Sequence, residues 1–338
     1  MAFATMRERD PVLSGARSVE RAETNCPADA RGWAKILNGY RQQDTRRAVF
    51  ELVVTVAPFL VLWGLGIAAL QIGLWLTLLV AVPTAGFLVR LFIIQHDCGH
   101  GSFFADQRAN DWTGRLLGVL TLTPYTCWRR GHAAHHATSG RLTQRGQGDV
   151  YTMTVDEFRR HGPTGRTLYR VLRHPLFLFV VAPAFLFYVH NRLPFGLMDD
   201  RKAWISALGT TVAIVALLAG LGWMFGLGAV FMVHVPVTML GASAGVWLFF
   251  VQHQFEHTSW SNDDTWDWHE AALHGSSNYQ LPPVLRWMTG NIGLHHIHHL
   301  CSRIPFYRLS EVVRDYPELA KIGRLGLVES FACVRLTL

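Results

Sequence analysis

Apolar and polar residues in this chain are segregated into long blocks. From Ala203 to Phe255 there are 53 residues without one Asp, Glu, Lys or Arg, broken only by a glycine-rich stretch at 220–228. A helix of about 20 apolar residues crosses a bilayer core, so this block predicts two spans, 204–225 and 227–251. A second pair occupies 52–70 and 72–95, joined by a turn too short to hold a domain. The apolar run at 175–189 is shorter and contains Pro183, so it is expected to be interfacial or re-entrant. The pattern gives an all-α integral membrane fold, with four transmembrane helices in two hairpins and the polar stretches forming a cytoplasmic helical cap. Trp33, Ile36, Leu37 and Tyr40 recur at helical spacing, which suits a helix lying on the membrane surface or packed on the protein. Residues 1–29 are polar, lack the apolar core of a signal peptide and read as a flexible cytoplasmic tail before one domain at 30–338.

The positive charges are one-sided. Of 31 Lys and Arg residues, nine precede the first span, 14 lie between Gly101 and Lys202, seven follow the fourth span, and the hairpin tips have none. Basic residues near span ends stay on the cytoplasmic side, so both termini and the central loop are expected there. The remaining one, Arg90, sits near the cytoplasmic end of the second span and is expected to snorkel to the interface. The net charge of +7 is accounted for by this bias and by anionic lipid, so nucleic acid is not expected as a partner. Five cysteines form no C-x-x-C pair, which excludes a built-in iron–sulfur or zinc-ribbon site.

Histidine carries the chemistry. Nine of the 17 histidines fall in three clusters: His96 and His100; His132, His135 and His136; and His295, His296, His298 and His299. Residues three and four apart share a helix face, so H-x-x-x-H and H-x-x-H-H each aim imidazoles at one point. Eight fit that spacing, all but His296, which is read as a neighbour. Eight imidazoles exceed the needs of one ion, so two metals are implied. An all-nitrogen site with open positions suits iron and oxygen chemistry better than structural zinc. The Glu-x-x-His spacing of soluble di-iron bundles is absent. A single metal site also requires all clusters on one side of the membrane, which holds only if 175–189 does not cross once.

Several longer motifs surround these clusters: His96-Asp97-Cys98-Gly99-His100-Gly101-Ser102-Phe103-Phe104, Trp128-Arg129-Arg130-Gly131-His132, Gly148-Asp149-Val150-Tyr151, Gln252-His253-Gln254-Phe255-Glu256, Gly275-Ser276-Ser277-Asn278-Tyr279 and Gly293-Leu294-His295 through Leu300. Together they resemble the membrane fatty acid desaturase superfamily, and within it the bacterial and cyanobacterial acyl-lipid delta-12 (omega-6) branch. The resemblance runs from about Arg31 to Leu309. It implies two iron ions, O2 as co-substrate, a bacterial plasma membrane location with the site facing the cytoplasm, and conversion of oleoyl to linoleoyl lipid. It also implies one more ligand before the third cluster, His253 or His257, with His253 matching the family's stretch. Asp97, Asp149 and Glu256 are candidates to accept the free N–H of ligating imidazoles. Arg129, Arg130 and Arg145 are candidates for head-group contacts. No His-Pro-Gly-Gly haem motif occurs, so electrons are expected from a separate ferredoxin or small cytochrome with its reductase. Related hydroxylases and acetylenases share the same clusters and stay open as alternatives; a membrane metal transporter is the alternative of another class.

Overall fold

The computed structural model describes residues 27, 29–146 and 149–338; the tail expected at 1–29 lies almost wholly outside the described residues. Helices dominate: α1 (Ala30–Leu37), α2 (Thr45–Ala69), α3 (Leu74–His100), α4 (Gln107–Leu120), α5 (Tyr125–Thr138), α6 (Val155–Arg160), α7 (Pro163–Arg173), α8 (Ala182–Tyr188), α9 (Arg201–Phe225), α10 (Leu227–His253), α11 (Trp268–His274), α12 (Pro283–Met288), α13 (His295–Leu300), α14 (Leu309–Asp315) and α15 (Leu327–Ser330). Two three-residue strands, β1 (Asn278–Gln280) and β2 (Arg324–Gly326), pair in parallel, with Tyr279 opposite Leu325.

Four helices, α2, α3, α9 and α10, are long and apolar enough to cross a membrane. Their outward residues, such as Leu60, Leu79, Val212 and Trp223, are more than half exposed, as expected where lipid rather than water covers them. Each helix overruns the span expected for it. Asp44 starts α2 early by accepting the Arg47 N–H at 3.0 Å, satisfying an otherwise orphaned donor. Nothing in Gln95-His96-Asp97-Cys98-Gly99-His100 stops α3, which ends only where Gly101 adopts φ +65°, a conformation that favours glycine. The overrun lifts the first histidine cluster past the apolar core on a continuous helix. Between α7 and the helical stretch at 177–192 the axis bends by 57°, making a broken span or a re-entrant loop. There Phe179 packs against Trp247 and Phe250 of α10, with ring centroids 5.0 and 5.3 Å apart.

Beyond α10 the chain builds the cap around Ile297, Leu300, Ile304, Phe306, Leu309, Val312 and Leu319, all buried. The apolar face of α1 is spent on this core: Trp33 and Leu37 are buried and Trp33 meets Tyr316 edge-on at 5.5 Å. Arg31 adds an ion pair to Asp267 at 2.6 Å.

Arg90 corrects one expectation. It does not snorkel: it is 1% exposed and pairs with Glu51, itself buried on α2. Its Nε–H donates to Thr55 Oγ1 at 3.1 Å, a further N–H donates to the Trp287 carbonyl, and its guanidinium lies 4.0 Å from the Trp287 ring centroid. A full charge out of water requires a partner, and Glu51 supplies one that the membrane surface would otherwise provide. The pair ties α2 to α3, and the contacts of Arg90 with Trp287 join that hairpin to the cap. Removing one member leaves a buried charge alone, so Arg90→Met is expected to destabilise the protein by about 3–5 kcal/mol, whereas Glu51→Leu combined with Arg90→Met recovers part of that loss. Thermal unfolding in lipid nanodiscs checks this, and unchanged stability of the single variant would contradict the pairing.

Candidate metal centre

Four elements deliver nine imidazoles to one place at the cap-side ends of the long helices. The last turn of α3 carries His96 and His100, and the last residue of α10 is His253. Helix α5 presents His132, His135 and His136, and α13 presents His295, His298 and His299. Helix α5 is held by the Tyr125 hydroxyl, which donates to the Cys98 carbonyl at 2.8 Å, and by its Thr126 N–H, which donates to Ser206 of α9 at 3.1 Å. Helix α13 is set by the His295 N–H bonding the Ser277 carbonyl at 3.2 Å.

The imidazoles divide into two groups. His96, His100, His132, His136 and His298 form one, and His135, His253, His295 and His299 the other; in each group the nearest nitrogens all lie within 4.8 Å of one another. The group of four closes into a ring of Nε2 atoms. His135 to His253 is 3.1 Å, His253 to His295 is 3.0 Å, His295 to His299 is 3.1 Å, and His299 to His135 is 3.3 Å. In the group of five, His136 Nε2 lies 3.1 Å from both His132 and His298 Nε2, and the buried Nε2 atoms of His96 and His100 have no hydrogen-bond partner. The groups adjoin, since the His136 and His299 rings stack with centroids 4.1 Å apart.

This donor set fits metal ions. A proton can bridge two facing nitrogens, yet in a closed ring of four each Nε2 faces two others. Nitrogens held about 2.0–2.1 Å from a common ion stand roughly 2.9–3.4 Å apart, which matches the ring. Burial, reinforced by neighbouring imidazoles, drives His132, His136, His295, His298 and His299 well below the ordinary imidazole range. Neutral rings keep the lone pairs that a metal needs.

Acceptors behind the rings fix their orientation. Asp97 Oδ1 lies 3.0 Å from His96 Nδ1, and its Oδ2 accepts the Phe306 N–H at 2.6 Å. Asp149 Oδ1 is 2.5 Å from His135 Nδ1. The Gly275 carbonyl is 3.4 Å from His253 Nδ1. His132 stacks on Trp128 at 4.6 Å, an approach open because position 99 is glycine: a Cβ there would stand 2.6 Å from the Trp128 ring. Trp268 donates its indole N–H to the His136 carbonyl at 2.9 Å.

Other sequence candidates lie elsewhere. His296 turns away and its Nε2 meets the Leu319 carbonyl at 2.8 Å. His257 and Glu256 are exposed and belong to neither group. Helix α10 ends at His253, and Gln254 leaves helical geometry at φ −121°, ψ 79°, so the four-residue spacing that aligned His257 with His253 no longer applies. Arg145 is committed internally: two of its nitrogens meet Glu157 at 2.8 and 2.5 Å, one of these also donates to the Thr152 carbonyl, and its Nε–H donates to the Leu142 carbonyl. That pairing holds the Glu157 carboxyl down at about 2, and it overturns the head-group role expected for Arg145. Arg129 pairs with Asp111 at 3.2 Å and Arg130 with Asp200, both arginines remaining partly exposed. Sequence reasoning carried Trp128 and Gly275 only inside longer motifs, without a role at the site, and did not place Trp268 or Phe306 there. Trp128 alone left a local signal, four residues before His132 on the same helix.

A family model described as fatty acid desaturase matches residues 73–329, which include all nine converging histidines. A fatty acid desaturase of Bacillus subtilis is 41% identical over 287 residues, covering 85% of this chain and 81% of that protein. An sn-1 acyl-lipid omega-3 desaturase (ferredoxin) of Synechocystis is 27% identical over 65% of this chain and 61% of its own length. An sn-2 acyl-lipid omega-3 desaturase (ferredoxin) of Helianthus annuus chloroplasts is 29% identical over 83% of this chain and 64% of its own length. With its membrane helices and two histidine groups able to hold metal, this chain belongs to the fatty acid desaturase family.

Proposed function

We propose that the protein is an oxygen-dependent di-iron desaturase that converts an oleoyl chain, esterified in a membrane glycerolipid, to linoleoyl. The convergence of nine buried imidazoles into two adjoining groups carries the proposal, because one ion cannot use them all. His96, His100, His132, His136 and His298 hold one iron, and His135, His253, His295 and His299 hold the other. Bound iron supplies the oxidising power, drawn from O2, that no side chain possesses. Overall, two adjacent methylenes lose one hydrogen each, and O2 with two further electrons and two protons becomes two waters.

The chain's own residues do the positioning. Asp97 and the Gly275 carbonyl orient two of the rings by hydrogen bonds, and the Asp149 carboxylate stands against Nδ1 of a third, His135. Phe249, with its ring 5.1 Å from His135, and Trp128 against His132 supply apolar walls that keep water out. Which methylene pair is oxidised depends on how the chain is registered against the irons, a matter of proximity rather than of reactivity. A bent monounsaturated chain offers its kink as that register. The acyl-lipid and ferredoxin designations of the cyanobacterial and plant relatives support a lipid-borne substrate and a separate electron donor. The distribution of Lys and Arg supports a cytoplasmic face for the site, in a bacterial inner membrane.

Four measurements bear on this reading. Purified protein is expected to carry about two irons per chain. His135→Ala or His298→Ala should abolish activity with membrane insertion intact, while His257→Ala should keep it; full activity in either of the first two would remove the site assignment. Accessibility tags at Gln71 and Gly226 should report from the side opposite a C-terminal tag, and a shared side would refute the four-span orientation. Expression in a host whose lipids hold only saturated and monounsaturated chains, with a competent reductase, should yield linoleoyl lipid by mass spectrometry. Hydroxylated chains, or a new double bond in saturated chains alone, would overturn the delta-12 assignment.

A further inference from the structure

A groove of about 900 Å³ runs between α4, α5 and α9, on the flank of α5 next to its histidine face. Its two ends differ in chemistry. Lys202 opens α9 and Arg130 joins it there through Asp200, so they mark one end, with Arg129 beside them; Arg115 and Asp111 also line the wall, and Leu116, Val119, Ile205, Gly209 and Ala213 give an apolar floor. Two of the cations are matched, Arg129 by Asp111 and Arg130 by Asp200. Among the described residues, Arg115 and Lys202 have no carboxylate within ion-pair distance, and Arg115 only lies over the Trp112 ring at 5.1 Å. Two positive charges therefore remain uncompensated in the groove.

Length decides what fits. Lys202 and Ala213 both line the groove on the membrane helix α9, and at 1.5 Å per residue they are separated by about 16 Å. Half the thickness of a bilayer core is about 15 Å, so the floor descends through one leaflet from a cationic rim. A free phosphate or a nucleotide would use the rim and leave the floor bare. A lipid uses both. The space beside Gly209 is open, since a Cβ there would meet nothing within 4 Å. Ala133 brings the groove to within one residue of His132 in the metal centre.

We propose that this groove seats an anionic phospholipid, with its phosphate and head group against Arg115, Arg129, Arg130 and Lys202 and an acyl chain along Ile205, Gly209 and Ala213. The proposal stands apart from the enzymatic reading above: the seating is a binding property and needs no turnover. Full-length protein is placed in nanodiscs of equal dioleoyl phosphatidylglycerol and dioleoyl phosphatidylcholine, extracted with detergent, and its retained lipid counted by mass spectrometry. Phosphatidylglycerol is expected in excess. Arg115→Gln with Lys202→Gln should lower that retention about tenfold, the worth of a charge-assisted contact to phosphate, with metal content unchanged. Gly209→Trp should exclude lipid by filling the floor without touching a charge. Equal retention of the two lipids, or retention indifferent to both variants, would overturn the proposal, as would displacement of the lipid by inorganic phosphate or coenzyme A. Desaturation of both lipids without selective retention would sink the groove and leave the enzymatic reading standing; selective retention without any desaturated product would do the reverse.

Discussion

Lone pairs facing lone pairs are the constraint on which this structure depends. Nine imidazoles are packed with their nitrogens 3.0–3.3 Å apart around the closed ring of His135, His253, His295 and His299, and similarly close around His136. Protons satisfy such a set poorly: burial disfavours the charged rings, and a neutral ring carries a single N–H, so a ring that spends it at Nδ1 turns a bare Nε2 lone pair to its neighbours. Each of the two groups can hold a metal ion, and a bound cation in each would resolve the conflict. Much of the architecture serves that meeting, from the overrun of α3 past the apolar core to the cap that lays α13 across its end.

Rigidity reaches the site by a continuous route through the first hairpin. Glu51 holds Arg90, Arg90 holds the Trp287 carbonyl and lies 5.2 Å from the Phe306 ring, the Phe306 N–H holds Asp97, and Asp97 holds His96. A buried ion pair is a poor source of net stability, but here it fixes where the cap sits relative to α3. That placement sets whether His298 meets His96 and His100 or misses them, and a metal centre tolerates little error in ligand position.

The legible part of this fold was what bilayer and helix geometry impose. Hydrocarbon thickness forces spans of a given length, so four long apolar blocks, one of them holding the single charge of Arg90, announce four helices, and a 3.6-residue period puts His132, His135 and His136 on one face. Partnerships across large sequence separations were not legible. Arg90 looked like a snorkelling residue because Glu51 stands 39 positions earlier on another helix. His257 looked aligned with His253 because nothing local marked the end of α10 at that residue. Arg145 looked available to lipid until Glu157 claimed it. The strand pair β1–β2 was invisible because three residues carry no period and their partners lie in a distant segment.

The central claim is that two ions share an all-imidazole environment divided five and four. X-ray absorption fine structure at the iron edge of the metal-loaded protein tests it most directly. The account predicts only nitrogen or oxygen scatterers in the first shell, with outer-shell multiple scattering that fits between four and five imidazoles per iron on average. A sulfur scatterer, or fewer than about three imidazoles per iron, would contradict it.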